Sequence, residues 1–298
     1  MKENIITRRS LLKKAAALAA GSAILMNFPA KIWGSTDKKQ SRVILIRDEA
    51  VIDAEGKVNA SVIQDMLDKA MLKLTGKSSV GEAWKGIVKP SDIVGIKSNA
   101  WRSLATPPEL ENTIKKRVME AGVMEDKISI KDRGVLSDPV FQQSTALINV
   151  RPMRTHAWSG VGSLIKNYIM FTPNPASYHG DSCADLATLF DLPEVKGKSR
   201  LHILVMLTPL FHGVGPHHFN KEFTWPYNGI IVGFDPVAID SVGLQIIQSK
   251  RKEYFGEDKP LNPPAKHILL ADTRHHLGTA DPTMIDLVKM GWDKGVMV

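Results

Sequence analysis

Three stretches of the chain concentrate side chains that could do chemistry. The first is THAWSGVGSLIKN, Thr155 to Asn167, reached through Arg151 and Arg154. His156 is by type an acid, a base or a metal ligand. Ser159, Gly160 and Gly162 make a glycine-rich turn, and the pattern predicts a short helix after it that carries Lys166 and Asn167. Such a turn exposes backbone N–H groups at a helix start, where an anion is favoured. Arg154 and Lys166 would add charge-assisted hydrogen bonds to a carboxylate or phosphate. The P-loop spacing is absent, so a capped turn with solvated cations accounts for the local pattern equally well.

The second stretch is TPLFHGVGPHHF (208–219), which holds His212, His217 and His218 within seven residues. Histidines on an irregular loop cannot all be core residues. With His156 and a carboxylate such as Asp235 they could bind zinc, iron or another first-row transition metal. No H-E-x-x-H spacing supports this, and substrate contact or plain solvation suits a loop histidine as well. The third is GFDPVAIDSVG (233–243). Asp235 precedes Pro236 and could cap a helix, orient a histidine or bind metal; Asp240 falls in the first turns. RHHLG (274–278) adds His275 and His276 on a further polar loop.

Regular elements must hold these residues in place. RVILIRD (42–48), DIVGIKSN (92–99), KISIKD (127–132), RLHILVML (200–207), GIIVGF (229–234) and HILLAD (267–272) read as strands, and ALINVRPMRTH (146–156) begins as one. Residues 59–76, 106–122 and 236–256 show helical periodicity, with Asn59 and Gly76 as caps of the first. Strands alternating with helices predict an α/β fold: a mostly parallel or mixed sheet flanked by helices, as a single main domain over 37–298. Ligands of such sheets sit beyond the carboxyl ends of the strands. That rule singles out Lys97 and Asn99, Asp132 and Arg133, His212, Asp235 and Asp272.

The amino terminus reads as an address. Arg8 and Arg9 precede an uncharged Ala/Leu-rich run, Ala15 to Phe28, too short and wrongly flanked for a stable membrane span. The Thr-Arg-Arg-Ser-Leu-Leu order predicts a twin-arginine signal peptide over 1–36. The expected partner is then the twin-arginine export machinery, and the expected location periplasmic or secreted. Residues 1–36 carry six Lys/Arg and one Glu, so the formal charge of +8 falls to +3 without them. That balance gives no case for nucleic acid, whose binders gather basic residues on one face. No second long apolar run follows, so no transmembrane span is expected in the mature form. Cys183 is the single cysteine, which excludes an internal disulfide and a built-in four-cysteine iron–sulfur cluster.

The segments DIVGIKSN, TPPELENTI, INVRPMRTH, LIKNYIM, GVGP, GFDPVAIDSVG and HILLADTRHHLG occur in the order seen in domain of unknown function family 362. The resemblance runs over roughly 43 to 290. It implies an α/β protein, and several members carry twin-arginine leaders or fused ferredoxin modules, whose cysteines are missing here. The family's motifs fall on Lys97 and Asn99, on Thr155 and His156, on Lys166 and Asn167, and on Asp235 to Asp240. Members usually have an aspartate on the strand before the Gly-x-Gly-Pro loop; this chain departs from that pattern, with Thr208 nearby instead. The family's acid/base role therefore does not carry over directly, and His212 is the candidate replacement.

Together these readings predict an exported enzyme acting on a small anionic substrate, with either redox or hydrolytic chemistry. His156, Lys166 and Asp235 would be catalytic. Lys97, Asn99, Arg154 and Asn167 would hold substrate. His156, His212, His217 and His218 would be the ligands of any metal. The alternative is a periplasmic binding protein for an anionic ligand.

Overall fold

The computed structural model describes residues 40–215 and 217–298. The leader sequence read at 1–36 lies outside the described residues.

Strand β1 (Ser41–Arg47) opens the domain, and helix α1 (Ala60–Thr75) follows it. The side-chain oxygen of Asn59 accepts the Ser61 and Val62 N–H groups at 3.1 and 3.3 Å. Gly76 closes α1 at φ 68°, where a side chain would be strained. Strand β2 (Val94–Lys97), helix α2 (Pro108–Glu120) and strand β3 (Ile128–Lys131) form a parallel unit. Strand β4 (Ala146–His156) returns beside β2, and the short β5 (Gly160–Gly162) folds back on its end. Helix α3 (Leu164–Asn167), strands β6 (Ser199–Leu210) and β7 (Gly229–Gly233), and helix α4 (Pro236–Phe255) come next. Helix α5 (Lys266–Thr273) and strand β8 (Ile285–Gly291) complete the chain.

The eight strands make one mixed sheet in the order β3-β2-β4-β6-β7-β1-β8, with β5 attached to β4. Only β7 on that path runs against its neighbours. Both faces are covered, so the strands are near-continuous apolar runs whose alternate residues enter opposite cores. Val43 and Leu45 face one core with the α4 residues Val237, Ile239 and Ile246. Ile44 and Ile46 face the other, with Ile63, Leu67 and Met71 of α1 and Ile114 of α2. The fold is the α/β class read from the sequence, with a mixed sheet.

Two elements differ from expectation. Residues 267–272 are helical within α5, not a strand: His267, Ile268 and Ala271 are buried at helical spacing. A six-residue apolar run carries no periodicity that separates the two states. Strand β8 went unread because it lies at the sheet edge beside β1, half-exposed, with Asp286 and Lys289 breaking its apolar pattern.

Candidate functional site

Three adjacent parallel strands, β3, β2 and β4, deliver the polar residues of one cavity of about 570 Å³ at their carboxyl ends. In β4, Leu147 and Met153 point into the core beneath α4. Asn149 and Arg151 share that parity, so two polar side chains are driven under the sheet. The β4–β6 ladder slips between Pro152 and Arg154, as bulges do beside binding sites. The chain then presents Arg154 and His156 before turning into β5.

Arg151 and Arg154 are buried, and the Nε of each has no partner. Burial lowers Arg151 to about 10, against the pull of Asp132 and Asp240. Burial, and then Arg151, also lowers Arg154. Arg154 is aimed by Asn99, whose Oδ1 accepts its Nη1 at 2.9 Å, and by Trp101, whose ring centre lies 4.5 Å from its Cζ. Lys166 projects from α3, and its one polar contact is the Cys183 Sγ at 3.5 Å, a weak acceptor. Burial pulls this ammonium down to about 8, and burial pushes the Cys183 thiol up.

The Trp158 N–H donates to His156 Nδ1 at 3.2 Å. A neutral ring then carries its proton on Nε2 and is a donor there. Burial, with Lys166, Arg151 and Arg154 nearby, holds His156 far below the usual imidazole range, so it stays neutral. Trp158 itself packs against three imidazoles, at 5.6 Å from His156, 4.4 Å from His179 and 4.9 Å from His217.

Lys97 lies behind the cavity wall, fully enclosed. Its Nζ donates to Ser98 O at 2.6 Å, to Asp132 Oδ1 at 3.0 Å and to Asn167 Oδ1 at 3.4 Å. Burial lowers it to about 8, opposed by Asp132. Burial raises Asp132, but Lys97 and the Ala100 N–H outweigh this and hold the carboxyl below its ordinary range. The Asn167 amide is fully engaged, donating to Lys97 O at 3.0 Å and to Asn149 Oδ1 at 2.8 Å. Lys97 and Asn167 therefore hold the wall together and offer a ligand little.

The other half of the expected site lies elsewhere. Asp235 is not among the lining residues. Its Oδ1 accepts the Val237 and Ala238 N–H groups at 2.8 and 3.1 Å, and its Oδ2 accepts Ser41 Oγ and Thr279 N, both at 2.9 Å. It is a helix cap that also ties two loops. His212 packs edge-on against Phe223 and Phe255, and its Nδ1 lies 3.2 Å from Arg251 Nη1. Arginine supplies only donors, so that nitrogen is an acceptor already in use. His218 is exposed. Of the loop histidines only His217 approaches His156, through Trp158. Among the described residues no three His, Cys, Asp or Glu side chains are placed to hold a metal ion. The four-histidine ligand set does not assemble.

Asp240 is the residue of this motif that serves the site. It is buried, and accepts Ser163 Oγ at 2.6 Å and the Leu164 and Ile165 N–H groups at 2.9 Å each. It thus anchors the helix that presents Lys166. Burial raises it to about 6, opposed by those bonds. Sequence reasoning gave no site role to Asp240, Trp101, His179 or Cys183. The motif's paired aspartates were a signal for Asp240; nothing local marked Trp101, His179 or Cys183 as partners of His156 and Lys166.

Fold and site define an α/β protein with a cation-rich cavity at the carboxyl edge of its sheet. Within that class the chain belongs to the family described as domain of unknown function (DUF362), whose model matches residues 97–245. The match runs from Lys97, the last residue of β2, into the first half of α4, and so includes every residue lining the cavity. No curated protein and no solved structure matched the chain. Among the described residues no helix is long and apolar enough to cross a membrane.

Proposed function

We propose that the protein is an exported enzyme that takes a small anionic substrate into this cavity and moves a proton on it. One observation carries the reading. Arg151, Arg154, Lys166 and the His156 Nε2–H all supply donors to one cavity, and its one lining carboxylate, Asp132, is paired with Lys97. Buried cations without a partner are costly, and an anion offsets that cost.

The arginines bind and orient the substrate, and the neutral imidazole donates to an oxygen that gains charge during reaction. Lys166, with its pKa near 8, exists in both protonation states close to neutral pH, as a general acid–base group requires. Trp101 and Trp158 supply apolar lining beside these groups. A binding protein without turnover would need only the arginines. The enzyme reading is favoured by Lys166 lining the cavity together with His156, whereas Lys97, equally lowered by burial, is sealed behind the wall. The twin-arginine pattern supports export.

Binding is tested by calorimetric titration with inorganic phosphate at pH 7. The reading expects saturable binding that weakens at least tenfold in Arg154→Gln. Unchanged or absent binding in both proteins rejects it. Lys166→Met separates the enzyme from the binder: it should abolish any turnover found in anion-substrate screens while the fold survives.

A further inference from the structure

The count and placement of charge in the cavity say more about the ligand than its sign. Three cationic side chains, Arg151, Arg154 and Lys166, line its depth, and all three are buried. Two more, Arg102 and Arg133, line it from the exposed rim. Against these five stands Asp132, whose Oδ1 is bonded to Lys97 and whose Oδ2 accepts the Ala100 N–H. Asp240 acts on Arg151 through space, but its oxygens are occupied by Ser163 and the start of α3. Each carboxylate near the cavity is therefore already engaged.

The donors are also unspent. The Nε atoms of Arg151 and Arg154 are buried without a partner, Lys166 touches only a thiol, and His156 has its Nδ1 occupied and Nε2–H left. An arginine offers Nε and Nη side by side, a spacing that matches two oxygens of one oxyanion. Two such forks and an ammonium exceed what one carboxylate can accept. Burial is the main cause that lowers Lys166, and the neighbouring Arg151 and Arg154 add to it.

We propose that the ligand of this cavity carries at least two negative charges, on a compact phosphate-like head or on two carboxylates, and is not a simple monocarboxylate. This rests on the anion-site reading above and narrows it to a chemical class. With Asp240 set through space against Arg151, a monoanion would still leave one of the three inner cations uncompensated, whereas a dianion engages both arginines and leaves Lys166 free to exchange a proton.

The test uses matched pairs that differ by one charge: sulfate against perchlorate, and succinate against succinamate. Each is titrated calorimetrically into the full-length protein at pH 7 and constant ionic strength. In at least one pair the doubly charged member should bind tenfold tighter or more. A sulfate preference points to a compact head, a succinate preference to two separated carboxylates. Arg151→Gln should erase the preference. Should that variant not fold, the rim double variant Arg102→Gln/Arg133→Gln should cost the doubly charged members at least threefold more affinity than the singly charged ones. A preference below tenfold in both pairs, with binding that still depends on Arg154, overturns the inference and leaves the anion site standing. Failure of all four anions to bind overturns both.

Discussion

Arg151 and Gly162 fit together only because Gly162 lacks a side chain: a Cβ built there would stand 2.5 Å from Arg151 Nη2 and 3.4 Å from His156 Cδ2. Strand β5 thus lies over the guanidinium like a cover, and the lack of a side chain at Gly162 leaves room for it. Gly162→Ala should push Arg151 off its position. Overpacking of this kind costs roughly 1–3 kcal/mol. Affinity for sulfate should drop at least tenfold while circular dichroism reports a folded protein; unchanged affinity would show that Arg151 does not touch the anion.

The pH dependence of binding follows from two shifted groups. His156 is held neutral well below its usual range, so it contributes no change as pH passes through 6 to 7; the group that titrates near there is Asp240, raised by burial to about 6. Lys166 titrates near 8. Below that value the free protein already carries the proton that a bound anion favours, and affinity is flat. Above it, binding must take up a proton, so affinity falls as pH rises. Sulfate, whose charge is constant over this range, reports the effect cleanly. Lys97 titrates in the same interval, but it is sealed behind Asp132; Lys166→Met should therefore flatten the profile. A break near 6.5 that persists in Asp240→Asn would contradict the neutral histidine.

Asp240 should matter for stability as well as position. Asp240→Ala leaves a hydroxyl and two N–H groups without their acceptor, and unsatisfied buried donors cost about 1–3 kcal/mol each. A loss of about 3 kcal/mol in urea unfolding is expected, with Asp240→Asn recovering part of it. Slower or weaker anion binding should accompany the loss, because α3 is no longer held at its start.

Asp235→Ala should behave differently. It removes an N-cap, for which about 1 kcal/mol of destabilisation is usual. Anion affinity should stay within twofold of the unsubstituted protein. A larger loss would return Asp235 to the site.

These contrasts also show where sequence reasoning reached and where it stopped. Helix α1 was legible at both ends because Asn59 and Gly76 act within their own few residues. The cation cluster was half legible, since Arg154, His156 and Lys166 crowd one segment joined by a single turn. The rule of strand carboxyl ends brought Asn99, Asp132 and Arg133 to the same place, because β2 and β3 are neighbours of β4. It failed for Asp235, which follows β7, the strand that runs in the opposite direction, and for Asp272, which ends a helix and accepts the Ala280 N–H at 2.7 Å. Strand direction is a property of the assembled sheet. His212 misled for a related reason: Arg251, 39 residues on, occupies its nitrogen, and no local pattern announces that partner.

The most direct test of the central claim is to locate the anion. Crystals of the protein soaked in selenate, a tetrahedral dianion with a strong anomalous signal, should show one anomalous peak inside the cavity. Its oxygens should lie about 3 Å from the nitrogens of Arg151, Arg154 and Lys166, the ordinary length of a charge-assisted bond. An empty cavity, with selenate only on exposed lysines, would contradict the account.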